Sequence, residues 1–206
     1  MISMAEKNEL LEKISDEVKT CQRCPLHKGS IQAVPGEGNP RADVMFIGEG
    51  PGAEEDKQGR PFVGAAGKFL EEMLGLIGWK REDVFIGNVV KHRPPNNRDP
   101  LPEEIDACFP FLNAQIEAIQ PKVIVLLGRH SMYRFLPSNF KISLEHGKVF
   151  RRHGRYYVPF YHPAAALYQA SLKNILIKDF RKLPRILEKI SLAGAEKKSD
   201  NIVETP

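Results

Sequence analysis

The sequence predicts an α/β fold in which helices cover both faces of a mostly parallel sheet. Three observations carry this. Short apolar runs at 43–48 (DVMFIG), 83–90 (DVFIGNVV) and 122–127 (KVIVLL) are hydrophobic at nearly every position. Strands covered on both faces read this way, whereas a half-exposed strand alternates. Between the runs lie segments with helical periodicity, and strand–helix alternation is the signature of a layered α/β domain. Glycines punctuate the runs, at Gly48 and Gly128.

In chain order, Asn8 to Val18 reads as an amphipathic helix with Leu10, Leu11, Ile14 and Val18 on one face. Thr20 to Asn39 is a loop rich in Cys, Pro and Gly. The first strand, Asp43 to Gly48, leads into a long polar loop, Gly48 to Gly64, containing five glycines. Ala65 to Gly78 is helical, with Phe69, Leu70, Met73, Leu74 and Ile77 on its apolar face. Asp83 to Val90 is the second strand, and Lys91 to Asp99 a Pro/Asn/Arg loop. Pro102 and Glu103 open a helix to about Ile119, where proline is tolerated in the first turn. Lys122 to Leu127 is the third strand, and Arg129 to Leu136 a short helix. Lys148 to Arg152 and Arg155 to Tyr161 form a hairpin about His153-Gly154. A final helix spans about Leu172 to Ile190. One domain is expected over residues 1–193, with 194–206 a disordered polar tail.

Composition bounds the class. With 42% hydrophobic and 27% charged residues, a soluble globular protein is expected. No apolar run approaches the roughly 20 residues that span a bilayer. Met1 to Asp16 lacks a secretory apolar region, which places the protein in the cytoplasm or on the nucleoid, free of membranes. A net charge of +4 and a pI near 8.9 are compatible with a polyanionic partner without demanding one. Cys21, Cys24 and Cys108 are too few and too odd for a disulfide framework; the CxxC pair allows a metal site, a redox pair or neither.

In open α/β sheets ligands bind beyond the carboxyl ends of the strands. Three unusual segments fall there. Gly48, Gly50 and Ala53 match dinucleotide-loop spacing, but no helix is expected to open at that turn and no GK[ST] follows. Glu49, Glu54, Glu55 and Asp56 would also repel phosphates. The loop is therefore either a close-approach ligand loop or a plain turn. Asn88, among apolar neighbours, makes a structural hydrogen bond or reads the polar edge of a ligand. His162, at a strand end, is structural or catalytic.

Taken together these segments resemble a known family. Gly48–Gly52 with Gly59–Gly64, Gly87-Asn88-Val89-Val90-Lys91, Arg93-Pro94-Pro95-Asn96-Asn97-Arg98 and His162-Pro163-Ala164 resemble, in order, the motifs of the family 4 (iron–sulfur, thermostable-type) uracil-DNA glycosylases. The likeness runs from about Cys21 to about Leu187. It implies a three-layer α/β/α fold about a central four-stranded, mostly parallel sheet. The implied partner is uracil-containing DNA, single- or double-stranded, met by a monomer. The implied reaction is hydrolysis of the deoxyuridine N-glycosidic bond, leaving an abasic site.

The resemblance also assigns roles. His162, as a neutral imidazole, would donate to uracil O2 as the base departs with negative charge. Glu49 would hold the attacking water and favour the cationic sugar; related family 1 enzymes carry an aspartate one position later, where this chain has Gly50. Glu55 is a second candidate for that role. Gly48, Gly50 and Gly52 would admit the base closely, Phe62 would stack on it and Asn88 would read its edge. Leu167 would fill the gap left by the everted base. Lys91, Arg93, Arg98, Arg129 and Lys173 would contact phosphates.

Family 4 members use four cysteines for a [4Fe–4S] cluster. Cys21 and Cys24 in CxxCP and Cys108 match three of them, and His92 stands where the remaining cysteine is expected. Cys21, Cys24, His92 and Cys108 are thus the implied ligands of a [4Fe–4S] cluster, with zinc as the alternative and His27 in reserve. Such a cluster would pin the N-terminal loop to the loop after strand two and the helix that follows. Two rival readings are a covalent uracil-trapping relative and a non-catalytic metal-containing DNA-binding module.

Overall fold

The computed structural model describes residues 3–196. The first helix, α1 (Met4–Lys19), starts earlier than its apolar periodicity suggests, because Ser3 and Glu6 form a reciprocal capping box. A short edge strand, β1 (Glu37–Gly38), precedes β2 (Val44–Gly48), α2 (Ala53–Gln58), α3 (Ala65–Gly75) and β3 (Phe85–Asn88). Then follow α4 (Pro102–Ile119), β4 (Val123–Leu127), α5 (Arg129–Phe135) and α6 (Ile142–Glu145). The hairpin β5 (Phe150–Arg152) and β6 (Arg155–Phe160) leads to α7 (Pro163–Tyr168), α8 (Ala170–Phe180) and α9 (Leu183–Glu196).

The sheet order is β1-β3-β2-β4-β6-β5. Its inner four strands, β3, β2, β4 and β6, are mutually parallel, and β1 and β5 join the edges antiparallel. The expected four-stranded parallel sheet is therefore the core of a six-stranded one. One apolar layer packs Met45, Ile47, Ile124 and Leu126 against α1 and α4. The other packs Phe46, Val125, Val158 and Phe160 against α3 and α8. Alternate residues of the same strands feed opposite layers, as the period of two demands. β2 lies between β3 and β4, so the loops after β2 and β3 diverge from the later ones across a crevice at the carboxyl edge.

Besides β1, α6 and α7, which the sequence does not signal, two elements differ from expectation. α2 lies inside the supposed loop; its sequence AEEDKQ has no apolar face and so carries no periodic signal. Gly52 begins it, acidic residues crowd its first turn, and Gly59 ends it at φ +67°. The last helix is divided into α8 and α9, with Pro184 in the opening turn of α9, where a missing N–H costs least. Within the expected tail, Gly194 to Glu196 continue α9, and residues 197–206 lie outside the described residues. The hairpin turn has His153 at φ +49° and Gly154 at φ +77°, the twist that matches right-handed strands. Among the described residues no helix is long and apolar enough to cross a membrane.

Candidate active site

A cavity of about 300 Å³ opens at the carboxyl edge of the sheet. Glu49, Gly50, Gly52, Glu55, Phe62, Asn88, Arg98 and His162 all line it, together with Pro94, Asn97 and Ala164. The three segments singled out in the sequence therefore meet. Strand geometry brings them there: Gly48 is registered opposite Asn88 across the β2–β3 pair, and His162 follows β6 two strands away.

Close approach explains the glycine at the end of β2. A Cβ on Gly48 would run into Asn88 Oδ1 and Phe62 Cζ, both side chains of the cavity wall. Phe62 itself is buried at φ +52°, a conformation disfavoured for a bulky residue. Arg81 donates to the Phe62 carbonyl at 2.8 Å, and the backbone that follows is held by the Glu55 carboxylate, which accepts from Val63 N and Gly64 N, each at 2.8 Å, and from Gly52 N at 3.1 Å. Glu55 thus fastens both ends of the loop that α2 bridges.

Asn88 is 2% exposed, and its Oδ1 has no hydrogen-bond partner among the described residues. Leaving a buried acceptor unmatched costs about 1–3 kcal/mol, so an orphan in a cavity wall points to a ligand donor. His162 opens α7, and its Nδ1 accepts from Ala164 N at 3.1 Å. That bond leaves the ring proton on Nε2. Burial drives the imidazole pKa down to about 4, opposed by the charge of Glu55, so His162 is a neutral donor near pH 7. Its ring lies 5.7 Å from that of Phe62 at 29°.

Glu49 sits directly after β2, held by backbone pairing of its carbonyl with Val90 N at 3.0 Å. Burial, then the nearby Asp99 charge, push its carboxyl up to about 7, while Arg129 pulls the other way. A carboxylate with a pKa near neutrality is suited to accepting a proton.

The residues expected at DNA divide. Leu167 and Tyr168, at the end of α7, are 44% and 88% exposed. Arg98 lines the cavity but its guanidinium is held by Glu104 at 2.7 and 2.9 Å. Arg93 donates to Asn97 Oδ1 at 2.8 Å, Arg129 pairs with Asp99, and the Lys173 ammonium lies over the Phe69 ring. Lys91 does not fit a phosphate contact. It is 1% exposed, and its ammonium donates inward to Gln115 Oε1 at 2.7 Å. Strand pairing continues past β3 through Val89 and Val90, which carries the next side chain into the core.

The expected metal centre is also corrected. Among the described residues, only Glu49, Asp99 and His130 bring three ligand-type atoms within 4.8 Å of one another. No such group includes Cys21, Cys24, His92 or Cys108, and a [4Fe–4S] cluster or tetrahedral zinc needs convergent ligands. Burial, then the charge of His27, lower the His92 pKa, and Asp56 opposes them. Cys108 Sγ accepts from Lys91 N at 3.2 Å, and burial pushes its thiol up to about 11. These residues fit neither group. The N-terminal loop is fastened by other means: Asp56 accepts from Ile31 N and Gln32 N, Gln115 Nε2 donates to Pro35 O, and Val34 N to Lys91 O. Cys21 and Cys24 pack on the apolar layer beside Val18 and Leu26.

Two residues of the site's surroundings carry no motif signal. Asp99, in the loop before α4, and His130, in the first turn of α5, meet beside Glu49. The only hint of His130 is its place two residues after the glycine that ends β4.

Comparison with known proteins agrees with this geometry. Residues 35–185 match the family model described as the uracil DNA glycosylase superfamily. The chain is 50% identical over 185 residues to a type-4 uracil-DNA glycosylase of Sulfurisphaera tokodaii, covering 84% of this chain and 83% of that protein. It is 47% identical over 189 residues to the type-4 uracil-DNA glycosylase of Archaeoglobus fulgidus, covering 88% and 95%. The corresponding Thermotoga maritima protein is 46% identical over 191 residues, with 90% and 99% covered. A type-5 uracil-DNA glycosylase of Thermus thermophilus is more distant, at 30% identity over 156 residues, covering 68% of this chain and 70% of that protein. The chain belongs to the type-4 uracil-DNA glycosylases of the uracil DNA glycosylase superfamily.

Proposed function

We infer that the protein is a monofunctional glycosylase that hydrolyses the N-glycosidic bond of deoxyuridine in DNA, releasing uracil and leaving an abasic site. The observation that supports it most is the unmatched Asn88 Oδ1 in the wall of a cavity that also holds a neutral His162. Uracil offers an N3–H donor to that oxygen, whereas cytosine presents a bare N3. A site that hydrogen-bonds a specific edge rejects the wrong base strongly, because its buried groups are then unpaired.

The target nucleotide turns out of the stack, at a cost of a few kcal/mol. Phe62 stacks on the base, and Gly48, Gly50 and Gly52 let it approach backbone. As the C1′–N1 bond breaks, negative charge gathers on uracil and positive charge on the sugar. His162 Nε2–H donates to uracil O2, a preorganised donor that needs no reorientation. The Glu49 carboxylate orients a water, accepts its proton as oxygen bonds to C1′, and favours the cationic sugar. Leu167 and the exposed Tyr168 brace the opened strand, and Arg93 and Arg98 steer its backbone. We assign one catalytic domain to residues 1–193, acting as a monomer on nucleoid DNA in the cytoplasm.

The test is release of abasic sites from uracil-containing DNA, read as strand breaks only after alkali. Breaks without alkali, or equal cutting of cytosine-containing DNA, would overturn the reading.

A further inference from the structure

Beside Glu49 lies a charged group that the proposed chemistry does not use. His130 Nε2 is 3.1 Å from Asp99 Oδ2 and 3.8 Å from Glu49 Oε2. Arg129 Nε lies 2.9 Å from the same ring nitrogen, and its Nη2 donates to Asp99 Oδ2 at 3.0 Å. A guanidinium already sits on Asp99, which makes the group an ion-pair network and not a cation site.

One ring nitrogen cannot both accept from Arg129 and donate to Asp99. Two arrangements are available. With Nε2 bare, it accepts from Arg129. With the proton on Nε2, it donates to Asp99 and turns toward Glu49 Oε2. An ionised Glu49 favours the second, since a bare nitrogen beside two carboxylates is repelled by both.

We propose that Asp99 and His130 are positioning residues for Glu49: the His130 N–H, bonded to Asp99 at 3.1 Å, orients the Glu49 carboxylate by a charge contact at 3.8 Å that leaves its oxygens free for water, and Asp99 sets the pH at which Glu49 becomes competent. This rests on Glu49 as the water-activating carboxylate. The sign follows from the charges. A second anion nearby disfavours ionisation of Glu49, in the same direction as burial, and Arg129 opposes both. The other charged groups lining the cavity are engaged elsewhere: Arg98 with Glu104, and Glu55 with three backbone N–H groups; His162 is neutral. Asp99 and Arg129 are well exposed, so their influence weakens with salt.

The experiment is the pH dependence of single-turnover uracil release at low salt for the parent, Asp99→Asn, His130→Ala, His130→Gln and Glu49→Gln, with Tm measured for each. For Asp99→Asn the acid limb moves to lower pH, so its rate at about pH 6 relative to about pH 8.5 rises several-fold over the parent ratio. His130→Ala slows release and His130→Gln, which keeps a donor, restores most of it. If Glu49→Gln is deeply impaired while the Asp99→Asn limb coincides with the parent's, or His130→Ala matches the parent at every pH, the proposal fails and Glu49 keeps its role. A Glu49→Gln protein with the parent's rate and profile would instead remove Glu49 from the chemistry.

Discussion

Asn88 pays for its chemistry with an unmatched acceptor, which separates its effects on activity and on stability. Asn88→Ala removes both the base contact and the orphan. Release of uracil should fall about 100-fold or more, on the scale seen when a preorganised hydrogen bond is deleted. Its Tm should not fall, since the truncated side chain faces an open cavity and the desolvation penalty disappears. Loss of activity accompanied by a large drop in Tm would mean that Asn88 is structural. Gly48 makes the complementary case. Gly48→Ala adds a methyl group where Asn88 Oδ1 and Phe62 already stand, so both must shift. Overpacking of this kind costs about 1–3 kcal/mol. A lower Tm together with lost activity is expected, and a fully active Gly48→Ala protein would contradict the packing described.

Among the elements, α2 and the loop after it are joined by the Glu55 carboxylate, with Arg81 also holding the Pro61 and Phe62 carbonyls. Glu55 accepts from backbone N–H groups on both sides of α2, and its removal strands three donors. Glu55→Ala should lower stability by about 1.5–3 kcal/mol, the range for hydrogen bonds to charged groups. It should also release Phe62 from its positive φ and raise KM more than it lowers kcat. Glu55→Gln keeps an acceptor and should recover part of the stability. Denaturant melts of the two variants check this; equal stability of Glu55→Ala and the parent would exclude a fastening role. The motifs alone favour a solvated or catalytic charge here, because AEEDKQ has no apolar face to mark a packed helix.

Across the whole molecule, the site leaves opposed marks on stability. His162 titrates near 4 when folded against an ordinary 6.5, so between those values the unfolded chain binds more protons and stability rises with pH. Glu49 titrates near 7 against an ordinary 4.5, so over that window the folded chain binds more protons and stability falls as pH rises. The two slopes largely offset one another in the parent. His162→Gln removes the first and leaves the second. Relative to the parent, its Tm should therefore improve on acidification from about pH 6.5 to about pH 4.5. Parallel Tm–pH curves for the two proteins would refute the low His162 pKa.

The sequence by itself determined the layered α/β class, the inner strands and the three segments that meet in the cavity. Those features are written locally, as continuous apolar runs, glycines at strand ends and ordered motifs. Only the tertiary structure decided which way side chains face. It turned Lys91 inward to Gln115, because pairing beyond β3 fixes the alternation of faces. It left Cys21, Cys24, His92 and Cys108 without a converging set of ligand atoms among the described residues, despite their promising order in the chain. And it set Asp99, from a loop, and His130, from the start of α5, beside Glu49, a meeting that no spacing along one chain encodes, because contact in three dimensions depends on how the layers pack.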